Sequence, residues 1–471
     1  MAEQLKLVQR NDFTADISTL NLLNFADGFE TAEDGYKSQD AGEVNGPVWE
    51  TISLMARAAT PDALAAVLQA LEAKREQARW YKDGSERYGV WLRSQLSTET
   101  GARQAFIEEL QHRPKGSFYN RGANVSATLP EYIAAIKRIP YWEATSASTY
   151  TGTALNCIGG QANLTGTVPG DVPARLAQVQ FAGVPGAGAL WKFWLGFRTD
   201  RFGARASFQS VWNLRKAVTF GTYTTGGTTN PDAMAHDGYK VVCTFNPSGA
   251  DTPMERRATI RVTDVTASPN EQRGRYTALM RAKLASGATG SFRVRLADGY
   301  YTTLGTGQSF AVRGRVAVTS TAWHYYELGE VRIPSPNELV GGTDFLSNYA
   351  LGIDAERIGG AGSLEMDCLI LIPVGEGFVY ASTGANVGVE YSAGDTRPLC
   401  VHVRPTGKVD SVWMAGSMPV AVGQAKVNDG LPVGDVRAVL AAERYDGSVK
   451  GDTNTVIAYV YHRWNSLRGA E

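Results

Sequence analysis

Glu365 and Asp367 stand two residues apart in the segment Leu364-Glu-Met-Asp-Cys-Leu-Ile-Leu-Ile-Pro373. On a strand, side chains two apart share a face and start about 6.5–7 Å from each other at the backbone. Retaining glycoside hydrolysis uses two carboxyls about 5–5.5 Å apart, so the pair is compatible with that chemistry. It fits equally well as two acids at the polar end of a strand. With Asp354 or Glu356, Asp367 could also supply some of the roughly six to eight oxygens that a calcium ion takes. No other cofactor is implied. Cys157, Cys243, Cys368 and Cys400 are far apart, with no CxxC or Cys-His cluster to hold zinc. Cys368 lies in an apolar run and reads as a buried thiol.

No established catalytic motif accompanies these acids. G-x-S-x-G, H-E-x-x-H, H-x-E…C-x-x-C and G-x-x-x-x-G-K-[ST] are all missing. His112, His236, His324, His402 and His462 stand alone in sequence, and each reads as structural unless the fold assembles them. Aromatic side chains offer a second chemistry, stacking on a sugar ring. Tyr300 and Tyr301 follow the turn signal Asp298-Gly299, and neighbours on a strand point to opposite faces, so one ring must leave the core. That ring suits a glycan or a protein interface. Trp323 and Tyr325 share a strand face and read first as core.

The elements that must position these residues are almost all strands. One amphipathic helix is predicted over 60–82: Thr60 as N-cap, Pro61 at the first helical position and Asp62 at the positive end of the dipole. Leu64, Val67, Leu68 and Leu71 repeat with helical spacing, and Asp83-Gly84 ends it. Alternating segments around 48–57, 90–96 and 132–137 flank it as strands, giving an α+β unit over 1–145. The Ser/Thr/Ala-rich stretch 143–153 reads as a linker. From 154 to 382 short strands alternate with Gly/Pro/Asn loops, which indicates an antiparallel sandwich or jelly roll, with a small lead-in subdomain to about 210. Residues 396–471 are again β-like and too few for a comfortable core of their own, so they are expected to complete the N-terminal unit around an inserted sandwich. The predicted fold class is therefore mainly β, an α+β domain with one bracing helix plus an inserted antiparallel sandwich.

Charge narrows the function. The chain of 471 residues carries 46 Lys+Arg against 47 Asp+Glu, a net charge of −1, without the basic excess of a dedicated nucleic-acid binder. No apolar run approaches the roughly 18 residues that span a bilayer, and the first residues lack the layout of a signal peptide. A protein made in the cytosol, without membrane insertion, is expected. Between residues 11 and 43 lie Asp12, Asp16, Asp27, Glu30, Glu33, Asp34, Asp40 and Glu43, against Lys37 alone. Such a stretch is ordinarily a set of solvated loops; in a ring it would repel phosphates.

Four N-terminal segments, Pro47-Val-Trp-Glu-Thr-Ile-Ser-Leu54, Asp62-Ala-Leu-Ala-Ala-Val-Leu68, Val90-Trp-Leu92 and Ile139-Pro-Tyr-Trp-Glu143, resemble modules of siphophage-like distal tail and tail-tip proteins. Val456-Ile-Ala-Tyr-Val-Tyr-His-Arg-Trp464 resembles their closing strand. Leu351-Gly-Ile-Asp354 and 364–373 are similar to late strands of a carbohydrate-binding-module jelly roll. The resemblance implies a non-enzymatic virion protein, assembled in the bacterial host cytoplasm as a homo-oligomeric, hexameric ring. It would stack against other tail proteins around a channel through which DNA passes without specific binding. Asp12, Asp16, Asp27, Glu30, Glu33 and Asp34 would line that channel, and the jelly roll would project outward. A carbohydrate-binding protein that meets host-surface glycan through Tyr300 or Tyr301 is the alternative, and a glycan-degrading enzyme using Glu365 or Asp367 is a third.

Overall fold

The computed structural model describes residues 4–10, 15–23, 28–31, 46–86, 88–95, 101–114, 128–151, 155–156, 160–182, 190–200, 211–214, 228–246, 249–261, 273–300, 311–334, 349–374, 378–382, 399–403, 409–414, 419–420, 425–427, 434–444 and 453–464. Among them the fold is strand throughout except for one long helix, as the sequence predicts.

The chain opens with β1 (Gln4–Arg10), β2 (Asp16–Asn21), β3 (Gly28–Thr31), β4 (Val48–Arg57), α1 (Pro61–Asp83), β5 (Val90–Gln95), β6 (Arg103–Pro114) and β7 (Thr128–Arg138). The strands pair in the order β2-β1-β5-β6-β7-β4-β3. Strand β6 makes the sheet curl, because Arg103–Phe106 pair with β5 whereas 107–114 pair with β7 on the opposite edge. Helix α1 packs its Leu64, Leu71, Ala78 and Tyr81 into the core beneath, against Leu7, Ile52, Leu54, Trp91 and Phe106. Its ends are those expected. Thr60 Oγ1 accepts from the Ala63 N–H at 3.2 Å, and Gly84 closes the helix at φ 82°, a left-handed conformation that favours glycine. In β4 the alternation of Val48, Ile52, Leu54 and Ala56 faces the core. Glu50 lies on the same face, where Arg138 donates to its Oε1 from Nε at 2.9 Å and from Nη2 at 2.6 Å.

Next come β8 (Trp142–Ala144), β9 (Ser148–Thr151), β10 (Leu155–Asn156), β11 (Gly160–Val168), β12 (Val172–Ala182) and β13 (Leu190–Asp200). The segment expected as a linker at 143–153 therefore contributes two strands. Glu143 is fully buried, which its sequence neighbours gave no reason to expect. Two arginines distant in sequence make it tolerable.

A two-sheet sandwich follows: β14 (Val211–Asn213), β15 (Thr228–Pro231), β16 (Tyr239–Cys243), β17 (Thr252–Arg261), β18 (Gly274–Leu284), β19 (Ser291–Tyr300), β20 (Ala311–Val312), β21 (Val316–Val318), β22 (His324–Ile333), β23 (Tyr349–Ile358) and β24 (Leu364–Pro373). One sheet runs β15-β16-β24-β18-β22, with β14 beside β24; the other runs β17-β23-β19-β20, with β21 beside β19. Every pairing is antiparallel. One core joins the sheets, built from Leu279, Met366, Cys368 and Ile370 on one side and Phe292, Val294, Leu351 and Ile353 on the other. Cys368 and Cys243 are free and buried, as expected for Cys368, and burial pushes the Cys243 thiol up to about 12.

The last strands are β25 (Phe378–Ser382), β26 (Leu399–Val403), β27 (Val409–Met414), β28 (Pro419–Val420), β29 (Ala425–Val427), β30 (Gly434–Arg444) and β31 (Thr453–Trp464). They return to earlier parts of the chain. Strand β31 lies between β12 on one edge and β8, β9 and β10 on the other, which brings it into the same sheet as β6. A separate sheet runs β11-β30-β13-β25-β29 and abuts the sandwich. There Gly196 passes so close to Ile372 and Pro373 that a Cβ would find no room, and Trp194 stacks edge-on against Tyr325 with centroids 5.8 Å apart.

Glu143 ties this return together. Arg175 of β12 donates to it from Nε at 2.9 Å and from Nη2 at 3.0 Å, and Arg463 of β31 donates from Nε at 2.9 Å. Burial opposes the charge on Glu143, but the two guanidiniums outweigh it and hold its pKa below the ordinary carboxylate value. Glu143→Gln keeps the shape and leaves two guanidiniums without a counter-charge. We expect a loss of about 3–5 kcal/mol in the unfolding transition that includes β31, measured by denaturant titration. A loss below about 1 kcal/mol would show that the cluster does not hold the strands.

Candidate functional site

The acids Glu365 and Asp367 share the outer face of β24, as their spacing requires, and the fold surrounds them with cations. Asp367 pairs with Arg281 of β18, both side chains fully buried, and accepts the His236 N–H at 2.9 and 3.0 Å. Glu365 accepts from Lys240 Nζ at 2.8 Å and faces Lys283 Nζ at 3.4 Å. Asp232 closes the cluster, 3.2 Å from Lys283 and 3.6 Å from Lys240. Burial works against its ionisation, but the Met234 N–H and the two lysines prevail and hold its carboxyl below the ordinary value. Trp323 covers the cluster, with Lys283 Nζ 4.5 Å and Arg281 Cζ 4.9 Å from its ring centroid. Three acids thus meet three cations under an indole. That geometry stabilises a sheet face.

The calcium candidates do not gather. Asp367 is on β24 and Asp354 and Glu356 are on β23, in different sheets, and Asp354 and Glu356 are each held by arginines. Among the described residues no group of three or more His, Cys, Asp and Glu side chains comes together to hold a metal ion.

Of the aromatics, Tyr325 is buried against Trp194, and Trp323 is 5% exposed. Tyr300 ends β19 and pairs in register with Tyr349; its side chain and the whole of Tyr301 lie outside the described residues. Three of the histidines serve as links, and the side chain of His402 lies outside the described residues. His112 joins Glu72 of α1 at 2.6 Å to the Tyr132 hydroxyl at 2.8 Å, His324 meets Glu443 at 2.9 Å, and His462 meets the Tyr150 hydroxyl at 2.8 Å.

Asp12, Asp27, Glu33 and Asp34 lie outside the described residues, and Glu30 is described only as part of β3. Asp16 begins β2 and is clasped by Arg93, with Nη1 at 2.6 Å and Nη2 at 2.8 Å, and approached by Arg10 Nε at 3.1 Å. The hydrogen bonds from Arg93 lead in holding its carboxyl below the usual range. Its charge is met locally by two guanidiniums.

Sequence reasoning did not single out the surface of the curled N-terminal sheet. Among the described residues β2 pairs on one side only, with β1, and β3 on one side only, with β4. Ile17 on β2, Trp49 on β4 and Trp80 on α1 are 48%, 45% and 44% exposed. Edge strands with large apolar side chains nearby are the usual substrate of strand-to-strand association. Their position on the outward parity of β4 and the polar face of α1 was the available signal.

No family model matches the chain. A chain in the structure of the phage P2 baseplate in its activated conformation with Ca is similar at 11% sequence identity and a TM-score of 0.16. The match covers 78% of this chain and 98% of that one. At that score the two chains share little of their three-dimensional path.

Two consequences are measurable. Asp367→Asn leaves Arg281 buried without its counter-charge and is expected to cost about 3–5 kcal/mol of stability. Glu365→Gln, whose lysine partners keep Asp232, is expected to cost less. Reducing-end release from polysaccharides should stay at background in parent and variants alike, and activity abolished by either substitution would reverse the structural reading. The second consequence concerns Lys74 of α1, 4% exposed, whose Nζ donates to the Ser18 carbonyl of β2 at 3.0 Å and to its hydroxyl at 2.5 Å. Burial lowers its pKa to about 8 from 10.5. Between those values the unfolded chain binds the proton and the folded chain does not, so stability contributed by this group rises with pH across about 8–10.5, by up to about 3 kcal/mol. Lys74→Met should abolish that rise, which the difference between the two proteins' denaturant midpoints against pH would show.

Proposed function

We propose that this chain is a structural protein of a bacteriophage tail, a distal-tail or baseplate component. It would build a homo-oligomeric, hexameric ring around the DNA channel and carry its sandwich outward. The observation that carries this reading is the meeting of the two chain ends in one sheet. Strand β31 pairs with β8, β9 and β12, so the last long strand shares a sheet with strands of the first part of the chain. The segments that resemble distal tail and tail-tip proteins fall on β4, α1, β5 and the β7–β8 junction, and the one that resembles a closing strand falls on β31. They are the parts from which the base of such a ring would be built.

The exposed Ile17, Trp49 and Trp80, with the edges at β2 and β3, supply a means of self-association. The near-neutral chain does not oppose it. The sandwich reads as a jelly roll, because the chain crosses between the facing sheets at each step from β16 to β19 and again from β22 to β24. Other tail proteins are the neighbours on this reading, the tail of the virion is the location, and DNA passes through without specific recognition. No catalytic step belongs to this reading. A second role, binding of host-surface glycan by the sandwich, is favoured by the arginines that cover the outer face of β17-β23-β19.

Native mass spectrometry with negative-stain imaging of the same sample tests the ring. A closed multimer with an open centre is expected, and Ile17→Asp combined with Trp49→Asp should shift it to monomer without lowering the melting temperature. A parent protein that stays monomeric at high concentration would overturn the reading.

A further inference from the structure

The outer face of the sheet β17-β23-β19 carries four arginines: Arg256, Arg293, Arg295 and, from the connection between β20 and β21, Arg315. Their side chains are 21–50% exposed. Beneath them lie two acids that are only 6–8% exposed. Asp354 holds Arg256 Nε at 2.5 Å and Arg295 Nε at 3.0 Å; Glu356 holds Arg315 Nη1 at 3.1 Å and lies 3.6 Å from Arg293 Nη1. The acids are sunk and the guanidiniums stand above them, so solvent meets the positive ends, with a surplus of two positive charges.

The backbone is shaped for this. Phe292, Val294, Leu296, Leu351 and Ile353 take the core side of their strands, which leaves Arg293, Arg295 and Asp354 outside. In β17 a register shift between Arg256 and Ala258 breaks the alternation, so that Arg256 joins the outer face while Ala258 and Ile260 stay in the core. The Arg256 guanidinium then lies across Gly352, where any Cβ would collide with it. A guanidinium that is held in place loses little freedom on binding and offers paired N–H groups to a carboxylate or phosphate.

We infer that this face binds an acidic glycan, through carboxylate or phosphate groups carried on the sugar chain. Nucleic acid is disfavoured. Its affinity comes from neutralising many phosphates at once, and a surplus of two charges on a chain of net charge −1 supplies few. The inference rests on the glycan-binding role of the sandwich and is independent of ring formation.

The test is binding of the purified full chain to polygalacturonate and to poly(glycerol phosphate), with methyl-esterified polygalacturonate and duplex DNA alongside. Salt-sensitive binding to at least one of the two acidic polymers, and none to the esterified form, is expected; which of the two binds tells carboxylate from phosphate. Arg293→Gln with Arg315→Gln should weaken it at least about ten-fold. Arg275→Gln removes a positive charge 58% exposed in the other sheet and should leave binding unchanged. Because the double variant strips Glu356 of two partners, Arg293→Gln alone is the companion: Glu356 keeps Arg315 Nη1 at 3.1 Å, so the fold should hold while binding weakens several-fold. Failure of the folded parent to bind either acidic polymer would overturn the inference, as would equal binding to the esterified form, tighter binding to DNA, or unchanged binding by Arg293→Gln. Native mass of the same sample separates this from the ring: a ring without binding removes only the inference, and binding by a monomer removes only the ring.

Discussion

A single buried carboxylate sets the order of this molecule. Glu143 sits on a three-residue strand that could hold little by main-chain pairing alone, and it is met by arginines 32 and 320 residues away. Burying three charges is costly unless each finds its partner, so the cluster exists only when β8, β12 and β31 are all in place and in register. A slip of β31 by one residue would turn Arg463 to the other face and leave Glu143 with an incomplete shell. The cluster therefore makes the first and last parts of the chain depend on each other. Arg175 over the Tyr461 ring, 4.4 Å from its centroid, extends the same join toward the centre of β31.

Once the ends are joined, the path of the middle is constrained. Strands leaving the base must come back beside themselves, and they do: β13 pairs with β25 and β12 with β26, each antiparallel. These pairs form a stem from which the chain enters the sandwich at β14 and leaves it after β24. The sandwich is docked on that stem through Trp194 against Tyr325, and through Glu443, which accepts the Tyr325 N–H at 2.6 Å. The same economy recurs within the sandwich, where acids that could have served chemistry are sunk beneath cations on both outer faces. On the β24 face the charges cancel under Trp323. On the β23 face they do not, and the excess is held outward.

Much of the fold was legible locally. Thr60, Pro61 and Gly84 define α1 by capping chemistry that needs no partner, and the period-two pattern of β4 names its core face. Cys368 announces its burial through the run around it. What escaped notice depends on residues far apart. Strand β6 has no clean alternation, because its first half is buried on both faces while its second half is half-exposed, so periodicity cannot find it. Glu143 looks like a linker residue among Ser, Thr and Ala until Arg175 and Arg463 are brought to it. Glu365 and Asp367 were correctly placed on one face, but the lysines and arginine that engage them come from β16 and β18. The bulge that turns Arg256 outward leaves no mark in composition at all.

The central claim, that β31 completes the base from the far end of the chain, is open to hydrogen–deuterium exchange on the intact protein. Amides of Thr453–Trp464 should exchange slowly and together with those of β12, as one cooperative unit. Exchange of that segment at the rate of an unstructured tail, with β12 and β8 still protected, would contradict it.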